Sequence, residues 1–249
     1  MRYPFIKRKY YFSLFKDIAG FIKNPDTQIT SQKSTKLKIY DTIGLYILKM
    51  IFLIPVVLFF ALVYDPENIQ GVKMSERFSP LVFLLVGGFL LPLIEEVAFR
   101  LSLKFKPIYL ALSISVFLYY FLTKVIFQTK NTAVDESFVI RIVSAIAIGV
   151  ILLPILNSKL VKRKLTKFWS SNFRIIYYVS CIVFAWMHIS KYELVWINIV
   201  LLPILTLPQL MSAIANGYIR VKFGFQYPLL FHMSNNLVSI GLSLLLTAK

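Results

Sequence analysis

The sequence predicts an all-α, polytopic membrane protein: about seven transmembrane helices in one bundle, preceded by an N-terminal interfacial amphipathic helix. Three observations predict it. Of 249 residues, 58% are hydrophobic, and the mean hydropathy is +0.72, more apolar surface than a soluble domain with alternating faces carries. The apolar residues fall in long runs, approximately 43–64, 79–103, 107–127, 138–156, 175–190, 194–215 and 227–247, parted by short polar connections. The net charge of +17 sits mostly in those connections and not on one displayed face. That is a membrane pattern, and it argues against nucleic acid as a partner.

Residues 1–42 read as a basic cytoplasmic arm. Tyr11, Leu14, Phe15, Ile18, Phe21 and Ile22 recur at helical spacing among Lys16, Asp17 and Lys23, the pattern of a helix lying on a membrane surface. The stretch has no clean apolar core followed by a small-residue cleavage site, so it does not read as a cleavable signal. Residues 24–42, rich in Ser, Thr and Lys, form a linker, and 43–249 a single membrane-embedded bundle. Pro203 and Pro208 permit a kink in the run 194–215. The lone cysteine, Cys181, excludes an internal disulfide and reads as a buried small residue.

Basic residues set the expected orientation. Nine Lys and Arg lie in 1–42 and six in 157–174, segments that alternation places on one side, together with Lys104, Lys106, Arg220 and Lys222. The opposite loops carry only Lys73, Arg77, Lys130, Lys191 and the terminal Lys249. The positive-inside rule then gives a cell-membrane protein with a cytoplasmic N-terminus and an external C-terminus.

Against this background the stretch FLLPLIEEVAFRLSLKFKP stands out, because Glu95 and Glu96 are the only acids embedded in an apolar run. An ionisable group facing hydrocarbon costs about 2.5–3.5 kcal/mol even on the lenient insertion scale, so both are expected to face protein or water. Glu96 and Arg100 are i and i+4, which makes them a helix-face ion pair. Glu95 is turned about 100° away and left for chemistry. The chain's two histidines also lie in apolar helices. His188 follows Phe184 by one turn; His232 precedes Asn236 by one turn, which puts imidazole and carboxamide on one face. An acid, an imidazole and a donor pair together make a general base with a possible oxyanion site.

Glu95-Glu96-x-x-x-Arg100, Phe184-x-x-x-His188 and His232-x-x-x-Asn236, in that order and each in a hydrophobic helix, resemble the three motifs of the CAAX protease and bacteriocin-processing family of intramembrane endopeptidases, which includes type II CAAX prenyl proteases. The resemblance covers about 95–236. It implies a hydrolase in which Glu95 activates a water for attack on a peptide carbonyl, His188 assists, and His232 and Asn236 stabilise the oxyanion. Glu96, Arg100 and Phe184 would support the site. Leu101 follows the motif arginine where many members have glycine. The substrate so implied is a peptide, a prenylated protein or a membrane protein. A metal-independent mechanism is preferred over zinc, for which Glu95, His188 and His232 would be the ligands, because no His-Glu-x-x-His pair is present. The alternatives are a non-catalytic bacteriocin-immunity or scaffold protein (self-immunity) and a small transporter using Glu95 as a proton relay. The span limits place Glu95 and His232 toward the cytoplasmic half but His188 toward the outer end.

Overall fold

A computed structural model describes residues 4–27 and 32–247. Arg2 and Lys249, counted in the charge balance above, and residues 28–31 of the expected linker lie outside the described residues. Every regular element among the described residues is helical. Helix α1 spans Arg8–Lys23 and α2 Thr35–Leu62. The hydroxyl of Ser34 caps α2 by accepting from the Leu37 amide, so the boundary expected at 42 falls inside a helix. The others are α3 (Ile69–Arg77), α4 (Pro80–Leu85), α5 (Leu91–Phe99), α6 (Pro107–Phe121), α7 (Phe138–Asn157), α8 (Lys159–Met187), α9 (Trp196–Val200), α10 (Leu202–Leu205), α11 (Leu207–Phe223) and α12 (Gln226–Thr247).

Among the described residues six helices are long and apolar enough to cross a membrane: Thr35–Leu62, Pro80–Leu103, Pro107–Ile126, Phe138–Asn157, Lys159–Lys191 and Gln226–Leu245. Their outer faces carry exposed Ile51, Ile54, Val57, Val143, Ile146 and Val150, as a lipid-facing surface does and a water-facing one does not. The chain has the fold of a helical multi-pass membrane protein. The run 194–215 is not one continuous helix. It breaks at Leu201 and Thr206 into α9, α10 and the start of α11, with Pro203 and Pro208 each in the first turn of the helix that follows. Proline has no N–H for the preceding turn but suits a helix start. The path still runs the length of the bundle. Asn198 accepts from the Tyr64 hydroxyl at one end (2.6 Å), and Arg220 donates to the Leu101 carbonyl at the other (2.9 Å).

Helix α11 is the centre of the packing. Ala213, Ala215, Asn216, Gly217, Tyr218, Ile219, Arg220 and Val221 are all buried, against α8, α12, α2 and α1. A Cβ on Gly217 would sit 2.5 Å from the Tyr177 ring, so the close approach of α8 requires glycine there. Helix α1 packs onto this core through Leu14 and Phe21, the latter edge-on to Tyr177 and Tyr218, while Phe12 and Phe15 remain exposed. At this end the basic residues crowd. Burial and then the positive charges of Arg220, Lys222, Lys106 and Lys38 push the Lys104 ammonium down to about 8.

The conflict of depth between Glu95 and His188 is resolved by the course of α8. This helix kinks at Asn172 and crosses the span Pro80–Leu103 obliquely. Trp169 donates to the Ser102 carbonyl and Ser180 to the Phe99 carbonyl. Between those contacts α8 advances about 16 Å while its neighbour advances only about 5 Å. The basic first turns of α8 therefore project past the bundle, and His188 arrives beside Glu95.

Candidate active site

The helix that carries the glutamates is irregular just before them. At Val86–Leu90 it widens, and the Leu91 amide bonds the Val86 carbonyl five residues back. In such a turn residue 92 would donate to the carbonyl of Gly87, but residue 92 is proline and has no N–H. The Gly87 carbonyl accepts instead from Asn236 Nδ2 of α12, at 2.9 Å. Gly87 and Gly88 are needed for this approach: a Cβ would lie 2.8 Å from Ile240 at the first and 2.6 Å from Leu237 at the second.

One turn further on, the two glutamates separate. Glu96 is fully buried. Its Oε1 accepts from Asn216 Nδ2 at 3.0 Å and meets His232 Nδ1 at 2.8 Å. As a carboxylate, Glu96 can only accept, and Nδ1 then carries the imidazole proton. Arg100 lies 3.9 Å away through Nε, a looser pair than the i, i+4 spacing suggests. Its guanidinium lies instead 3.7 Å over the centre of the Phe184 ring, a desolvated cation–π contact of about 2 kcal/mol. Glu95 keeps 24% of its side chain exposed, and its Oε2 stands 3.6 Å from His232 Nε2, wider than a direct hydrogen bond. The imidazole of His232 thus lies between one buried and one accessible carboxylate.

His188 ends α8. Its Nδ1 donates to the Phe184 carbonyl at 2.7 Å, since a carbonyl can only accept, which leaves Nε2 as a lone pair. Phe184 packs 4.7 Å from the His188 ring and 5.8 Å, edge-on, from His232. One aromatic ring therefore touches both histidines and the arginine. Glu95, His188, His232 and Asn236 all line one cavity of about 180 Å³, together with Lys191. Glu95 and His188 also line an adjoining cavity of about 240 Å³ with Tyr120 and Phe184. A larger, mainly apolar cavity of about 760 Å³ between α5, α6 and α7 is lined by neither glutamate nor histidine, though it shares Leu91 and Asn131 with the walls of the two smaller ones.

The ligand set expected for a zinc ion, Glu95, His188 and His232, is not assembled. The Nδ1 bonds of His232 to Glu96 and of His188 to Phe184 leave Nε2 as the available nitrogen of each ring, but the three side chains do not converge. Among the described residues no three His, Cys, Asp or Glu side chains are grouped to hold a metal.

Three supporting residues were not singled out in the sequence. Asn216 fixes Glu96. Arg220 bonds the carbonyls of Arg100 and Leu101 (3.1 and 2.9 Å) and so clamps the turn after the motif. Lys49 is buried in α2, with its Nζ hydrogen-bonded to Asn235 and near the Tyr46 and Phe231 rings. Lys49 carried a sequence signal, since a lysine inside a run of Leu, Ile and Met seldom faces lipid.

Compared with protein-family models, curated proteins and solved structures, the chain matches none.

Proposed function

We propose that the chain is an intramembrane endopeptidase of the CAAX protease and bacteriocin-processing type, which hydrolyses a peptide bond with a glutamate-activated water. The observation that carries this reading is the pair of unlike carboxylates on either side of His232, with His188 on the same cavity as the accessible one.

In this reading a water lies between Glu95 and His188 Nε2, which accepts one of its hydrogens. Glu95 takes the other proton as the water oxygen bonds to the scissile carbonyl carbon. The carbonyl oxygen gains the charge. It is met by the second Asn236 Nδ2 hydrogen (the first is committed to Gly87) and, when the His232 ring is imidazolium, by its Nε2–H. As the C–N bond breaks, Glu95 returns its proton to the departing nitrogen. Glu96, held by Asn216 and Arg100, fixes the orientation of His232 without touching substrate. Every step is carried by side chains of this chain and water.

The chain would cross the cell membrane seven times, the path of α9 to α11 included, with a cytoplasmic N-terminus, an external C-terminus and α1 at the interface. Its substrate would be a peptide or protein segment. The test is cleavage of a peptide library by purified protein, wild type beside Glu95→Ala. Cleavage by wild type alone supports the assignment. A phenotype that persists in Glu95→Ala without any cleavage would instead indicate the non-catalytic immunity or scaffold reading.

A further inference from the structure

The bundle has two unlike ends, and the candidate site communicates with only one of them. At one end are the arm, the turns 103–107, 157–159 and 223–226, and the projecting start of α8. At the other are the connections 65–79, 127–137 and 188–195. Both cavities that hold Glu95 reach the second end. Gln70 of α3 lines both, Met74 lines the smaller, and Asn131 and Ser190 line the larger. Among the described residues, none from the first end's arm or connections lines either one.

Toward the first end the site is closed by packed side chains. Below Glu96 come Ala98, Phe99, Arg100, Leu101 and Leu103, all buried. Arg220 ties the Arg100 and Leu101 carbonyls to α11, and Trp169 ties the Ser102 carbonyl to α8. A peptide could reach Glu95 from that side only by unpacking this layer.

The basic residues say which end is which. The closed end holds the arm, Lys104 and Lys106, the run 159–174, Arg220 and Lys222; the open end's connections hold only Lys73, Arg77, Lys130 and Lys191. Short loops rich in Lys and Arg stay in the cytoplasm.

We propose that the active site opens to the extracytoplasmic face, and that its substrates are polypeptide segments displayed on that face, either translocated across the membrane or arriving from outside. This rests on the endopeptidase reading for the word substrate, but not for the side on which the cavity opens. It sets aside prenylated proteins of the cytoplasm, one of the substrate classes the sequence resemblance implies. The Lys191 ammonium, on the same cavity as Glu95, makes no hydrogen bond or close ion pair among the described residues. Its ammonium is available to an acidic side chain or terminal carboxylate of the incoming segment.

Two measurements test this. Cys181 is buried and stays silent toward thiol reagents, so cysteines introduced singly at exposed positions report alone. With a membrane-impermeant maleimide on intact cells, Gln70→Cys and Ser190→Cys should label fully and Lys164→Cys only after lysis. Labelling of Lys164→Cys alone in intact cells would overturn the proposal. In the second measurement, a single-span reporter carries one randomised segment of a dozen residues on its outer or its cytoplasmic side. Wild type should cut outer-side reporters at least tenfold more than Glu95→Gln does, and leave cytoplasmic ones intact. Cleavage confined to the cytoplasmic reporter would overturn the substrate class. Failure to cut either, with labelling as expected, would sink the endopeptidase reading and the substrate class with it, while the cavity's outward opening would stand.

Discussion

Lys49, midway along the first span, donates a hydrogen bond to Asn235 in the last. The two are 186 residues apart in sequence. Asn235 in turn points its Nδ2 at Asn236 Oδ1, 3.4 Å away. That contact fixes which way round the Asn236 carboxamide sits, with its oxygen toward Asn235 and its nitrogen toward Gly87 and the cavity. In the proposed endopeptidase Lys49 would therefore be a positioning residue, acting through two amides.

Replacing Lys49 by Met removes the charge but keeps the length of the side chain. Loss of one orienting hydrogen bond of about 1–1.5 kcal/mol corresponds to about a tenfold fall in kcat, with KM little changed. Steady-state kinetics on a cleaved peptide reads this directly. An unchanged kcat with a lower melting temperature would mean that Lys49 only holds helices together.

The adjacent glutamates should fail differently. Glu95→Gln should abolish cleavage and melt like wild type, since amide and acid are nearly isosteric and Glu95 is partly accessible. Glu96→Gln leaves Arg100 without its counter-charge in a buried site and disturbs the bonds to His232 and Asn216. Breaking a buried pair costs about 3–5 kcal/mol, so lower yield and stability come first. Thermal melts and peptidase assays of both variants in detergent would decide. A stable, inactive Glu96→Gln beside a fully active Glu95→Gln would reverse the two roles.

Glycine packing offers an independent check on the fold. Gly87→Ala and Gly88→Ala each force a methyl group to within 3 Å of α12 side chains and should destabilise by about 1–3 kcal/mol. Gly241→Ala, on the same helix pair but with nothing within 4 Å of the added carbon, should be neutral or slightly stabilising, as alanine is the better helix former. Equal melts for all three would contradict the contact between the wide turn and α12.

The connection 127–137 should be sensitive to acid. Hydrogen bonds from Ser137 and Thr129, and then Arg141, outweigh partial desolvation and hold the Asp135 carboxyl well below the usual carboxylate range. A lowered folded-state value stabilises above the ordinary value of about 3.9, and the benefit is lost as the pH falls below it. Limited proteolysis of this connection should therefore speed up between neutral pH and about pH 3 in wild type. Asp135→Asn should already be susceptible at neutral pH and change little on acidification. Identical profiles for the two would remove Asp135 as the organiser of the loop.

Much of this was legible before the structure. Run length and hydropathy gave the apolar helices, because a span of about 20 residues is imposed by the bilayer and leaves its mark residue by residue. The glutamates and histidines were legible as candidates because each is costly where it stands. The partners of those residues were not. Asn216 lies in SAIANGYIR and Lys49 in YILKMIF, and nothing local says that one meets Glu96 and the other Asn235; such pairings belong to the packing of helices distant in sequence. Spacing also overstated the Glu96–Arg100 contact, because the face of Phe184, from a helix 84 residues on, competes for the guanidinium. Gly87-Gly88 and Pro92 together hinted at an irregular helix, yet periodicity cannot place a single wide turn.

That turn also bears on insertions and deletions. A five-residue return of this kind houses one residue more than an α-helix of the same height needs. Deleting one residue within 86–90 would let Pro80–Leu85 run straight into Leu91–Phe99 and leave Glu95 and Glu96 aimed as they are. Deleting one between Leu91 and Ile94 would turn everything after it by about 100° relative to the turn, moving Glu96 out onto the cavity and Val97 into the seat beside Asn216. Just upstream of Glu95, the chain has a place where its length can change by one residue without re-aiming the two glutamates, followed directly by a stretch where it cannot.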